Sequence, residues 1–341
     1  MKYNYYILTG ITDYYKQIFS DLSHRDDVVI VNSTHELLGN LYIPWRIQTG
    51  RDFNKYVRIP FKNIWNKTYL KKTNLFKDKT KPICFVLSSI WANFALEQGF
   101  IETIRKEYPS AKVVWLIADI ISKQKPLYPK EYNKNIFPDM DEAKKIFDLI
   151  ISYDHGDCKK YGLVYHALPF SSFSEPDDQL PNSDVFFLGR AKDRLNDIIT
   201  IFEYLRSKNL KLDFYITGVS EDEKIYADEI HYNTSMSYQD NLRRVLNTKC
   251  ILEVMQKGAS GYTLRANEAV CLGRKLLTNN QMIEKLPFFD EKYISTFSIE
   301  EGNLNVDEDF IDHISDVICV DFQKKSMFSP IKFLKFIEER L

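Results

Sequence analysis

Short runs of consecutive apolar, mostly β-branched residues recur along this chain, each followed by a polar stretch long enough for a helix. In the first half they are YYILTG (5–10), DVVIVN (27–32), ICFVLSS (83–89), KVVWLIAD (112–119), LIISYD (149–154) and LVYHALPF (163–170). A strand with one wet face alternates apolar and polar residues, whereas a strand covered on both faces does not. These runs are apolar throughout, so they predict a parallel sheet between helices, with helices over 13–22, 93–107 and 139–147. SSFSEPDDQLPNSD (171–184), with two prolines and several serines and acids, interrupts the pattern as an exposed linker. The alternation then resumes with DVFFLG (184–189), LDFYITG (212–218), CILEVM (250–255) and KLLTNN (275–280), separated by helices near 193–207, 238–247 and 263–273. A final helix is expected at 330–340.

At 341 residues the chain exceeds what a single core usually spans. The expected fold class is α/β, with two Rossmann-like doubly wound domains facing a cleft. The expected boundaries are 1–170 for the first domain, 171–183 for the linker and 184–325 for the second domain, with 326–341 packing back on the first. Open α/β sheets bind ligands at the carboxyl ends of their strands, so candidate residues are sought there.

Composition narrows the function classes. Lys and Arg number 46 against 47 Asp and Glu, a net charge of -1, so no global field draws nucleic acid. Five cysteines lie without CxxC spacing and read as buried thiols, not a disulfide framework or zinc site. The opening MKYNYYILTG reads as a strand and not a leader, and no apolar run approaches the roughly 20 residues of a membrane span. A cytoplasmic chain is the expectation. One segment departs from neutrality: from Arg46 to Lys81, eleven cations face Asp52 and Asp78, giving 11 − 2 = +9. Phe61, Ile64, Trp65 and Tyr69 can share a helical face there, flanked by lysines. Two readings stand: a peripheral contact with anionic membrane through 46–81, or a solvated insertion whose aromatics pack on the domain.

Three segments of the second half carry the chemistry of an anion site. In FFLGRAKDRLND (186–197), a glycine ends the strand and Arg190, Lys192 and Arg194 crowd the next helix start. Cations there oppose the helix dipole unless an anion shares the site. Their alternative is surface charge beside Asp193 and Asp197. In ITGVSEDEK (216–224) and HYNTSMSYQD (231–240), Gly218 and Tyr238 offer backbone groups and a ring to a base, although Ser237 and Tyr238 also read as an ordinary helix cap and staple. In ASGYTLRANEAVCLGRKLLTNN (259–280), Ser260, Gly261, Tyr262 and Thr263 precede a helix whose free N–H groups suit a phosphate. Arg265 stands beside them, and Glu268 suits two ribose hydroxyls or, alternatively, an intrahelical pair with Arg265.

SGYTLRANEAVCLGRKLLTNN resembles the donor-binding segment of GT-B glycosyltransferases, and FLGRAKDR resembles their diphosphate-holding G-R-x-x-x-K stretch. Gly261, Tyr262, Glu268, Ala269, Gly273 and Leu276–Leu277 fall on the family pattern in register, over roughly 184–285. The wording is closest to bacterial lipopolysaccharide and capsule enzymes. The resemblance implies a metal-independent transferase, without cofactor, that moves a sugar from a nucleotide-sugar donor to a glycan or lipid-linked acceptor. The first acidic residue of the family pattern is Ser260 here, which leaves the stereochemistry open. Glu253, on the preceding strand, is a candidate substitute. In this frame the first domain binds acceptor and supplies a base: Asp119 first, then His35 and Asp13. A strand-end Asp that caps the next helix is the alternative for Asp119 and Asp13. Two other functions remain open, a non-catalytic binding protein on a degenerate transferase fold and a Rossmann oxidoreductase or epimerase. The last lacks a GxGxxG motif.

Overall fold

The computed structural model describes residues 1–10, 13–50, 59–121, 140–256, 261, 263–316, 321–322 and 325–341, without the side chains of Asp13 and Glu97. The chain divides into two compact units, Met1–Pro169 with Pro330–Leu341, and Phe170–Ser329.

The first unit is built on six parallel strands: β1 (Asn4–Leu8), β2 (Val28–Val31), β3 (Ile83–Ser88), β4 (Lys112–Ile117), β5 (Leu149–Ser152) and β6 (Val164–Tyr165). Their order across the sheet is β2-β1-β3-β4-β5-β6. Each apolar run of the sequence became a strand, although only two residues of 163–170 pair with β5. The expected 93–107 helix is two helices, Ser89–Gln98 and Phe100–Glu107. The break is Gly99, at φ 64 in the left-handed region that costs a side chain most. Helix Pro330–Glu338 joins this unit, where the Tyr5 hydroxyl donates to the Leu334 carbonyl at 2.9 Å.

The basic stretch differs from its expected single helical face. It folds as a 3-10 turn Lys62–Trp65, a helix Asn66–Tyr69 and a second 3-10 turn Lys71–Leu75. Trp65, Tyr69 and Phe76 point into the core, while Phe61 and Ile64 point to solvent. The turn geometry changes from i+4 to i+3 inside the segment and splits the expected stripe between two sides.

The second unit holds β7 (Ser183–Arg190), β8 (Leu212–Thr217), β9 (Ile230–Tyr232), β10 (Thr248–Glu253), β11 (Lys275–Thr278), β12 (Ile294–Glu300) and β13 (Asn303–Val306). The order is β13-β12-β11-β10-β7-β8-β9, parallel except for the β12–β13 hairpin. Helices Leu195–Ser207, Tyr238–Leu246 and Leu264–Leu272 form where the sequence places them. Each sheet reverses its winding once: between β1 and β3 in the first, and between β7 and β10 in the second. At such a switch point neighbouring loops leave the sheet in opposite directions and open a crevice beyond the carboxyl ends.

Candidate functional site

In the second unit, residues following β7 and β10 meet at the switch point. Arg194 ends the turn after β7, yet its side chain folds back over the sheet edge. Its guanidinium donates to the Val254 carbonyl, beyond β10, and to the Arg190 carbonyl at 3.1 and 3.2 Å. Gly189 makes this possible by close approach. A Cβ there would stand 2.8 Å from the Phe187 ring and 3.2 Å from Arg194 Nη2. Burial lowers the pKa of Arg194, and the nearby positive Arg265 adds to the effect. The carboxylates of Asp193 and Glu253 oppose that shift, so two guanidinium groups and two acids share this end of the sheet, with Arg194 largely desolvated. Arg190 and Lys192 stand exposed on the same turn, and Lys192 holds φ 47, a strained conformation for a residue with a side chain.

The N-terminus of helix Leu264–Leu272 lies within the same network. Thr263 is its N-cap, accepting from the Arg265 N–H at 3.0 Å. The Thr263 hydroxyl donates in turn to Glu253 at the end of β10. The other oxygen of Glu253 accepts from Thr278 at 2.5 Å, so a buried carboxylate ties β10, β11 and the helix start together. Burial raises the Glu253 pKa against these donors. Glu253 therefore positions the helix, and its carboxylate is engaged away from solvent. The asparagines of KLLTNN also brace the loop. Asn279 accepts from the Met255 N–H at 2.6 Å, and Asn280 donates to the Gly261 carbonyl at 3.2 Å. Ser260 and Tyr262 lie outside the described residues, while Gly261 is buried.

Glu268 differs from its expected aim at a ribose. It is 0% exposed, and both carboxylate oxygens are engaged by neighbouring side chains. Oε1 accepts from the Tyr238 hydroxyl at 2.7 Å and Asn241 Nδ2 at 3.2 Å, and Oε2 accepts from Arg265. The intrahelical alternative holds, but in a larger network, because Arg265 also donates to Asn241 Oδ1 at 2.6 Å. Burial raises the pKa of both Glu268 and Tyr238, with Arg265 opposing the shift in each. The Tyr238 ring is thereby committed to the helix–helix contact instead of offering a free platform. Ser237 caps helix Tyr238–Leu246 through the Asp240 N–H at 3.1 Å. Gly218, exposed after β8 at φ 78, donates its N–H to Asn233 Oδ1 at 2.8 Å; Val219 donates to the same atom at 3.2 Å. Asn233 thus joins the ends of β8 and β9, a brace the sequence did not announce.

The first unit's edge has a different chemistry. Asp119 is exposed after β4, and its Oδ1 accepts from the adjacent Ile120 N–H at 2.9 Å. Asp154 caps helix His155–Tyr161, accepting from the Asp157 N–H at 2.8 Å. Asp157 accepts from the Ile121 N–H at 2.8 Å, so its carboxylate pins the chain just beyond Asp119. Burial raises the Asp157 pKa, and the negative charges of Asp154 and Asp119 raise it further. Asp157 was missed in the sequence, although SYDHGD places two acids directly after a strand. His35, exposed in helix Thr34–Leu38, lies edge-on to Tyr42 at 5.0 Å between ring centroids and stands apart from the acids by sequence and contact. Asp13 begins helix Asp13–Ile18, and its side chain lies outside the description. Among the described residues, no group of three or more His, Cys, Asp or Glu is arranged to hold a metal ion.

No protein family and no curated protein matches the sequence. Among solved structures the chain is similar to S. aureus TarM, 14% identical over 82% of this chain and 54% of TarM, with a TM-score of 0.43. It therefore spans about half the length of that protein. It is also similar to the glycosyltransferase SnogD from Streptomyces nogalater, 12% identical over 100% of both chains with a TM-score of 0.42. A third is UDP-GlcNAc 2-epimerase from Neisseria meningitidis, bound to UDP-GlcNAc, 10% identical over 98% of this chain and 99% of that one, TM-score 0.43. The functional reading rests on the site.

Proposed function

We propose that this chain is a glycosyltransferase that moves a sugar from a nucleotide-sugar donor to a glycan or lipid-linked acceptor. In this reading it serves bacterial surface polysaccharide synthesis at the inner face of the cell membrane. The observation that carries the reading is the convergence of Arg194, Arg265 and the start of helix Leu264–Leu272 at the β7–β10 switch point. Guanidinium forks and free helix N–H groups are the donors that suit a diphosphate.

The bond between the anomeric carbon and the diphosphate oxygen breaks, and its electron pair leaves on the nucleoside diphosphate. Arg190, Lys192, Arg194 and the helix N-terminus receive that charge, so the reading requires no metal or cofactor. Glu268, with Asn241, holds Arg265 so that its charge supports the diphosphate from the start of the same helix. The Gly218 loop bounds the base. A new bond forms between the anomeric carbon and an acceptor oxygen, whose proton passes to Asp119.

Purified chain incubated with a panel of nucleotide-sugars and lipid-linked or glycan acceptors tests the reading. Release of nucleoside diphosphate that depends on both acceptor and Arg265 is the expected result. A chain that binds donor without transfer or hydrolysis would instead be a non-catalytic binding protein.

A further inference from the structure

Large apolar side chains left in water are concentrated in one part of the first unit. Of the nine strongly exposed among the described residues, six fall between 41 and 75: Leu41, Ile43, Ile47, Phe61, Ile64 and Leu75. Scattered single exposures are ordinary, whereas a concentration marks a surface with a partner. Ile43 and Ile47 are one turn apart on helix Tyr42–Thr49 and flank exposed Arg46. Gln48 of that helix donates to the Pro60 carbonyl at 2.7 Å and accepts from Trp65 Nε1 at 2.8 Å. The helix is thereby fastened to the turn that carries Phe61 and Ile64. The fastening groups face inward: Trp45 Nε1 donates to the Tyr69 hydroxyl at 2.6 Å, and Tyr69 is buried in the core.

Phe61 is the most telling of these residues. It sits at φ 62, in a left-handed conformation unfavourable for a bulky side chain, and the residue is 74% exposed. Glycine or asparagine would serve the turn at less conformational cost and without exposing a ring. Ile43 at 70% and Ile64 at 59% are likewise left in water.

Charge identifies the partner. Asp52 and Asp78 are the only acids between 46 and 81, against eleven cations. Lys67 reaches Glu107 at 3.1 Å, Lys72 reaches Glu36 and Lys77 reaches Asp26 at 2.7 Å, but three such pairs with acids from outside the stretch offset only part of its excess of cations. Apolar tips that rise from a basic surface match the boundary of an anionic bilayer, where rings and aliphatic chains enter the headgroup layer and cations meet lipid phosphates. No helix among the described residues is long and apolar enough to cross a membrane. We propose that Ile43, Ile47, Phe61 and Ile64, with Arg46 and Lys71, dock this chain on the surface of an anionic phospholipid bilayer. The inference deepens the membrane-face part of the proposed function, on which it rests, and stands on residues other than the donor site.

Co-sedimentation of the full chain with vesicles tests it, comparing phosphatidylglycerol-containing vesicles with pure phosphatidylcholine, at low and high salt. Binding to the anionic vesicles is expected, with marked loss at high salt. Arg46→Glu with Lys71→Glu should weaken it by about fivefold for each unit of charge lost. Ile43→Ser with Phe61→Ser and Ile64→Ser should weaken it by roughly tenfold per residue. These side chains are exposed, so an unchanged melting curve shows that the variants fold. Absence of binding at low salt, equal binding to both vesicle types, or binding indifferent to the substitutions would overturn the proposal. A self-association that Phe61→Ser abolishes would assign the surface to a second copy and overturn it too. Nucleotide binding by the apolar variants should match the parent, which separates failure of docking from failure of the transferase reading.

Discussion

The two sheets share a plan and differ in charge at corresponding places. Each winds outward, reverses once, and opens a crevice at the carboxyl ends beside its first strand. Beyond β7 and β10 that edge carries Arg190, Lys192, Arg194 and Arg265, with backbone carbonyls and buried carboxylates steering the two inner arginines. Beyond β4 and β5 the edge carries Asp119, Asp154 and Asp157; burial raises the Asp157 pKa, and the charges of Asp154 and Asp119 add to the rise. One architecture thus presents a cationic edge and an anionic one. Under the proposed function the cationic edge is the donor side and the anionic edge the acceptor side, a distinction that the shared topology does not draw.

The contrast breaks most visibly at the acidic edge. Asp119→Asn should reduce turnover by about 10²–10⁴-fold, the usual worth of a general base, while donor affinity stays unchanged. Steady-state kinetics beside a binding titration would check the split; equal losses in both would deny Asp119 that role.

The cationic edge should behave in the opposite way. Glu268→Ala strands Arg265, Tyr238 and Asn241 inside the second unit, at a cost of about 3–5 kcal/mol in chemical denaturation. Arg194→Ala should cost donor affinity about a hundredfold, as expected when charged hydrogen bonds are lost. Gly189→Ala is a finer probe. Its added methyl meets the Phe187 ring and the Arg194 guanidinium, so donor affinity should fall along with about 1–3 kcal/mol of stability. Loss of stability with affinity intact would show that Arg194 does not need its folded-back position.

The smallest effect is one of pH. Burial raises the pKa of both Glu253 and Glu268. The folded chain therefore binds their protons more tightly than the unfolded chain does. That contribution is full below the ordinary carboxyl range, about 4.3, and is lost as pH rises through the folded values. Relative to Glu268→Gln, the parent should lose melting temperature as pH rises above that range.

The fold was legible because parallel strands buried on both faces write themselves as uninterrupted apolar runs. β9, β12 and β13 escaped for the complementary reason. They are short or alternate apolar with polar residues, and the β12–β13 turn rests on Glu301 and Gly302, both at positive φ. The crowding of Arg190, Lys192 and Arg194 on the turn after β7 was also legible, since the three fall within five residues at a strand end. The inward turn of Glu268 was not. Glu268 read as suiting a ribose or a pair with Arg265, yet it is buried, as is its neighbour Asn267. Helix Tyr238–Leu246 supplies Tyr238 and Asn241 as partners from another part of the chain. One helix's sequence cannot show a polar group satisfied by its neighbour. Asp157 escaped similarly, because its partner is the Ile121 N–H, 36 residues away.

The central claim is that the switch point of the second sheet binds a nucleoside diphosphate through Arg194 and Arg265. A thermal-shift screen of the full chain against UDP, GDP, ADP, CMP and TDP, repeated with Arg194→Ala and Arg265→Ala, tests it most directly. The expected result is a rise in Tm with at least one nucleotide, lost in both variants. An unchanged melting curve with every nucleotide, or a rise that survives both substitutions, would contradict the claim.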